Sequence, residues 1–252
     1  MEDWTRRQLI ERQPPSRQLP VMFQRWLHLL FLHWPLSPDI VQRTLPRGLQ
    51  ADSFEGSAWI GIVPFFMRGV RPAGFTSVPG ISNFLELNLR TYVRDASGRP
   101  GIWFYSLDAN LALAVCLARA AFALPYEFAR MRARVSGGEI DYWSHRFGSK
   151  SPLHYRYRAS ESLGEAGFGS FEFFVVERYR LFASRGNKLF TGRVHHSPYQ
   201  LRKVEVTHAD PGLFALDGFE TPVGPPVNAL YSERVDVSIY SMDLVDPAGL
   251  SL

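Results

Sequence analysis

The chain has 252 residues, is 46% hydrophobic and 14% aromatic, and carries a net charge of +4. That apolar content supplies a sizeable core and excludes wholesale disorder, and the charge is too small and too scattered for a nucleic-acid binder, which gathers its basic residues into one dense cluster. Cys116 is the sole cysteine, which excludes an intrachain disulfide and a thiolate-rich zinc site and fits a reducing compartment.

The first 18 residues, rich in polar side chains and proline, read as an arm with a frayed helical start. They lack the apolar run of a secretory signal, and WLHLLFLHW is shorter than the ~20 residues of a membrane helix. The expectation is a cytoplasmic protein with no membrane partner. VMFQRWLHLLFLHW reads as a first strand, apolar on both faces near its end and therefore central. In SPDIVQRTLPRGLQ, Ser37 suits an N-cap, Pro38 the first helical position and Asp39 the positive helix end, with Pro46 and Gly48 as the stop. GSAWIGIVPFF is a second long strand.

Strict alternation marks NFLELNLRTYV, residues 83–93: Leu85, Leu87 and Leu89 on one parity, Glu86, Asn88 and Arg90 on the other. The polar parity either meets water or lines a cavity. GIWFYSLDA pairs with it as a hairpin. ANLALAVCLARAAFAL is apolar nearly all round and reads as a buried helix over about 110–123, burying Leu113, Val115, Leu117 and Phe122 and stopped before Pro125. Short alternating runs fill the rest, and SFEFFVVER fits a helix begun by Ser170 or a strand. No internal repeat or linker breaks the pattern. The reading is one domain, 1–252, with a polar arm (1–18) and a mainly β body (19–247) built on a closed or nearly closed antiparallel sheet.

Phosphate-cradling and nucleophile-elbow motifs are absent. No His or Cys spacing suits a metal, so neither metal nor cofactor is expected. Ser106 and Asp108 share the parity of Phe104, and either reaches a ligand if that strand end opens on a cavity. Arg130, Arg132 and Arg134 share one strand face, a solvated surface or a track for an acidic partner.

HWPLSPDIVQRTLPRGLQAD, WIGIVPF, FLELNLRTYV, GIWFYSLDA, ARAAFALPY and VHHSPYQL together resemble the YqjF-like family of bacterial proteins, from about residue 20 to 245. That family is in turn similar to acetoacetate decarboxylase, with TLPRGL, Glu86 seven residues before Val93, and ARAAFALPYEF at corresponding places. The resemblance implies an α+β, mainly β fold: an antiparallel β-barrel or cone with the buried helix, short peripheral helices and a cavity for a small organic acid or carbonyl compound. Glu86 and Tyr126 would then be the catalytic pair. Arg90 would anchor a carboxylate and hold Glu86 ionised, and Asn88, Ser106, Asp108 and His33 would complete the binding surface. The leucines opposite would pack outside, beneath helices or loops.

One departure matters. The decarboxylase uses a lysine that forms an imine with its substrate, activated by a second cation. At those two positions this chain has Tyr126 and Glu127, so acid–base chemistry without an imine is expected. Non-catalytic binding of an acidic partner through Arg130–Arg134 is the alternative. Self-association into a homo-oligomer is left open.

Overall fold

The computed structural model describes residues 3–112 and 122–245. Its strands are β1 (Met22–Leu36), β2 (Leu49–Ala51), β3 (Ser53–Phe54), β4 (Ser57–Pro72), β5 (Phe84–Asp95), β6 (Pro100–Ala109), β7 (Tyr126–Ser136), β8 (Glu139–Arg146), β9 (Leu153–Gly164), β10 (Arg180–Arg185), β11 (Lys188–His196), β12 (Leu201–Ala209) and β13 (Asn228–Leu244). The helices are short: α1 (Asp3–Glu11), α2 (Pro38–Gln42), α3 (Phe171–Val176) and α4 (Leu213–Leu216). Leu113, Val115, Cys116 and Leu117 lie outside the described residues; Phe122 is half-buried and packs on the core.

The strands close two circuits that share one wall. Strands β6, β5, β4, β1 and β13 pair in that order, and β10 and β11 join β6 back to β13 on one side. On the other side β7, β8, β9 and β12 make the same connection. Shared strands must be long, because each serves both lobes: β1, β4 and β13 have 15, 16 and 17 residues, against an ordinary strand of about 5–6.

A shared wall also explains why β5 is buried along nearly its whole length. Alternate side chains enter opposite lobes. Leu29, Phe31, Val63 and Phe65 join the first core; Leu30, Leu32, Ile60 and Ile62 join the second. Leu85, Leu87 and Leu89 pack in the second core with Tyr142, Tyr155 and Phe214. The layer over these leucines is therefore mainly strand, with one turn of helix, instead of the helices and loops expected from the sequence.

Two junctions are parallel, β6 with β7 and β6 with β10, whereas the sequence reading held only antiparallel pairs. Parallel neighbours need a crossover of a dozen or more residues, and residues 110–125 supply one. The segment beginning at Ser170 is helical: its hydroxyl accepts from the Phe173 amide at 3.1 Å. The N-terminal arm does not fray. In α1, Gln8 donates to the carbonyls of Phe173 and Glu177 at 3.1 and 2.8 Å. Glu11 receives Arg180 at 3.0 Å and Arg193 at 3.1 Å. These partners lie more than 160 residues away, so no local pattern announces them.

Among the described residues no helix is long and apolar enough to cross a membrane.

Candidate active site

A cavity of about 530 Å³ occupies the first lobe, and Glu86, Asn88 and Arg90 all point into it. Each is less than 7% exposed. The polar parity of β5 therefore lines a cavity and does not meet bulk water. Along β4, Met67 lies beside Phe84, Phe65 beside Glu86, Val63 beside Asn88 and Gly61 beside Arg90. The polar residues thus form a row that runs into the lobe.

Two register breaks bracket this row. In β1 the pairing to β4 shifts between Leu27 and Leu32, and His28 takes a left-handed backbone, φ 54°. Trp26 and Leu29, of opposite parity, both face the cavity as a result. In β6 the pairing shifts at Tyr105, so Phe104 and Leu107 both face it. Bulges re-aim side chains in this way and recur beside functional sites.

Glu86 is held by Tyr126, whose hydroxyl donates to Oε2 at 2.8 Å. Asn88 Nδ2 stands 3.5 Å from the other oxygen. Burial pushes the Glu86 carboxyl up to about 7, against the pull of those two donors and with help from the charge of Asp108. Burial and the adjacent Glu86 raise the Tyr126 phenol well above its usual value, so it stays a donor. A carboxyl that titrates near neutrality can both give and take a proton there.

Arg90 does not pair with Glu86. Four residues of extended strand separate their Cα atoms by about 13 Å, and the Glu86 carboxyl responds to Asp108 instead. The guanidinium lies over the rings of Phe31 and Tyr92, with centroids at 5.4 and 5.8 Å. It touches the Val175 carbonyl only at 3.5 Å, and its Nε has no partner. Nearby arginines of the lining are neutralised, Arg178 by Asp52 at 2.8 Å and Arg180 by Glu11. Among the described residues no carboxylate lies within the 4.0 Å ion-pair distance of Arg90.

His33, Ser106 and Asp108 were expected on the binding surface and are placed elsewhere. His33 is buried behind Arg90, bonded to Asn228 Oδ1 at 3.0 Å and the Tyr92 hydroxyl at 2.8 Å. Burial and the Arg90 charge push its pKa down to about 3, so the ring is neutral. Gly61 leaves room for this pair: a Cβ there would stand 3.2 Å from the Tyr92 hydroxyl. Ser106 and Asp108 sit past the Tyr105 bulge and turn into the second lobe. There Arg146 donates to Asp108 at 2.8 Å, Asp217 at 2.7 Å and Ser106 at 2.6 Å.

Sequence reasoning missed Arg146, Asp217, Arg178 and Arg180. The alternation in ERYRLF hinted at the last two, with both arginines on one parity. Lys150, Lys188 and Lys203 are all exposed and outside the lining. Arg130, Arg132 and Arg134 are exposed on β7, with Arg132 over Trp143 at 5.1 Å. No group of three or more His, Cys, Asp or Glu side chains among the described residues could hold a metal.

Residues 23–236 match the profile of DUF2071, described as "Uncharacterized conserved protein". The chain belongs to that family. It is 36% identical over 223 residues to the uncharacterized protein YqjF of Bacillus subtilis strain 168, covering 88% of this chain and 91% of the relative. Among solved structures it resembles the enduracididine biosynthesis enzyme MppR, complexed with the condensation product of pyruvate and imidazole 4-carboxaldehyde. There the TM-score is 0.63, at 14% identity over 91% of each chain. It also resembles the acetoacetate decarboxylase of Legionella pneumophila (subsp. pneumophila str. Philadelphia 1), TM-score 0.62 and 13% identity over 93% of this chain and 92% of that one. At such identities the likeness establishes an acetoacetate decarboxylase-like fold.

Proposed function

We propose that this member of the DUF2071 family binds an organic acid or carbonyl compound in the first-lobe cavity, with a carboxylate on Arg90. Glu86 and Tyr126 then carry out acid–base chemistry on it without an imine. The observation that carries this reading is Arg90 itself. A buried cation without a counter-charge costs several kcal/mol, and an anionic ligand would supply the missing partner. The unpartnered Nε of Arg90 and Oδ1 of Asn88 offer a donor and an acceptor in the same stretch of wall.

With the carboxyl at about 7, Glu86 as carboxylate takes a proton from carbon beside a carbonyl and as carboxyl returns it, the balance of an enolisation or isomerisation. Tyr126 keeps the carboxylate oriented through its hydrogen bond. An imine requires a lysine amine inside the cavity, and the three lysines of the chain stand on the surface. MppR, which shares the fold, is described with a pyruvate-derived product bound.

Calorimetry with carboxylic acids tests the binding step, and loss of the α-proton signal by NMR in deuterated water tests the chemistry. Binding that vanishes in Arg90→Met and exchange that vanishes in Glu86→Gln are expected. Equal binding by the Met variant would remove the basis of the proposal.

The Arg130–Arg134 face supports a second, non-catalytic reading, association with an acidic partner. Among the described residues none of these three arginines makes an ion pair. Salt-sensitive association lost in the triple alanine variant, with no acid bound in the cavity, would favour it.

A further inference from the structure

The cavity is sharply divided in polarity. Two of its arginines stand together at one end: Arg90 in the row of β5, within 5.8 Å of the Tyr92 ring, and Arg178 over the same ring at 5.3 Å. Halfway along stand Glu86 and Tyr126. Beyond them, toward Met22 and Pro72, the wall is Phe84, Met67, Trp26 and Val70, with Gln24 and Thr76 at the rim and the buried Ser82 hydroxyl accepting from the Val78 amide at 2.7 Å. At that far end Val21, Val78 and Ile81 line the cavity and are also 39%, 49% and 44% exposed. The cavity therefore opens there, and its mouth is mainly apolar.

We infer that the ligand is an amphipathic carboxylic acid whose apolar tail, well over four carbons long, runs from Arg90 past Glu86 and Tyr126 to the mouth at Val78 and Ile81. This rests on the anchoring of an acid by Arg90 proposed above and adds the chemistry of the remainder of the molecule. One volume and one length support it. At roughly 30 Å³ per water-sized group, a cavity of about 530 Å³ has room for many more heavy atoms than a three- or four-carbon acid supplies. The Cα atoms of Arg90 and Glu86 are about 13 Å apart along the strand, farther than so short an acid spans. A small acid on Arg90 would leave the apolar half of the cavity filled with water that makes few hydrogen bonds to its walls.

The test is affinity across linear carboxylates from acetate to dodecanoate, measured by calorimetry on the intact protein below micelle-forming concentrations. Affinity is expected to rise about three- to fourfold per methylene until the tail reaches the mouth, and to be lost for the whole series in Arg90→Met. Val70→Asp, a change near the mouth, should weaken the long acids at least tenfold and spare the short ones. Affinity independent of chain length, or highest for acids of four carbons or fewer, overturns the inference while leaving the Arg90 anchor standing. Failure of every acid to bind overturns both. A length dependence that survives in Arg90→Met and in Val70→Asp would place the tail on the outer surface, and also overturns it.

Discussion

Tyr126 donates its hydroxyl to Glu86 within the first-lobe cavity at 2.8 Å, and Tyr142, from the other lobe, donates to the Glu86 backbone carbonyl, also at 2.8 Å. The acid at the centre of the cavity is thus fixed from both sides of the shared wall. Its strand is held by one tyrosine and its carboxylate by another.

Stability should report the titration of Glu86. Its carboxyl sits at about 7 in the folded protein against 4.5 ordinarily, so the folded state holds the proton more tightly. That contribution is complete below pH 4.5 and is lost as pH rises through 7. Glu86→Gln removes it. The variant should therefore gain on the parent between pH 5 and 8, by on the order of 2–4 kcal/mol at about 1.4 kcal/mol per tenfold change. His33 and His196, pushed down to about 3 and 4, act in the opposite direction, but they are common to both proteins and cancel in the difference. Parallel denaturant curves at pH 5 and 8 would contradict the burial of this carboxyl.

Tyr126→Phe should move that titration. The phenol bond favours the ionised carboxyl, so its loss drives the Glu86 pKa further above 7. Infrared spectroscopy reads this as a protonated carboxyl band, absent in Glu86→Gln, that persists to higher pH in the Phe variant. A band lost at the same pH in both proteins would show that the hydroxyl does not bind Glu86 in solution.

Arg90→Met should leave the ligand-free protein as stable as the parent, or stabilise it by about 1–3 kcal/mol, because an unpaired buried charge is exchanged for a side chain that suits its aromatic neighbours. The opposite follows from the ion pair expected in the sequence, since breaking such a pair strands its partner. Thermal melts of protein stripped of small molecules distinguish the two. A large loss of stability would mean that Arg90 has a carboxylate partner after all.

That contrast shows what the sequence carries and what it does not. The alternation of residues 83–93 made β5 legible, and the apolar run of β1 announced a central strand. A polar strand face, however, looks the same whether it meets water or a cavity, and only the closure of the first circuit by β10 and β11 buries it. Residues four apart on a helix touch, but on a strand they are about 13 Å apart, so Glu86 and Arg90 share a face without sharing a bond. Parity counting fails wherever a bulge intervenes. Tyr105 carries one, and Ser106 and Asp108 were placed in the wrong lobe for that reason. The partners of Arg178 and Arg180 come from elements distant in the chain, beyond the reach of any local pattern.

Trapping with borohydride after incubation with acetoacetate should yield no adduct on the intact protein. The three lysines are exposed, and Lys203 is paired with Glu161 at 2.8 Å, so no amine is desolvated into a nucleophile. Mass spectrometry that finds one stoichiometric adduct on a lysine would restore the imine route.

In the second lobe, Arg146 binds Asp108 and Asp217 together, with the three side chains 11%, 0% and 7% exposed. Removing the cation strands two carboxylates on the back of the cavity wall. Arg146→Met should cost about 3–5 kcal/mol at pH 8, the range for breaking a buried pair on one side. The cost should depend on pH with a definite sign. Burial already pushes Asp108 up to about 7 while Arg146 pulls it down. Without that cation Asp108 protonates more readily, and the neutral acid is cheaper to bury. The destabilisation therefore shrinks toward pH 5 and is greatest above pH 7. Asp108→Asn in the Met background should recover part of the loss at pH 8 and little at pH 5. Denaturant unfolding of the three variants at both pH values checks this, and a cost equal at the two would mean that the loss comes from packing and not from stranded charge.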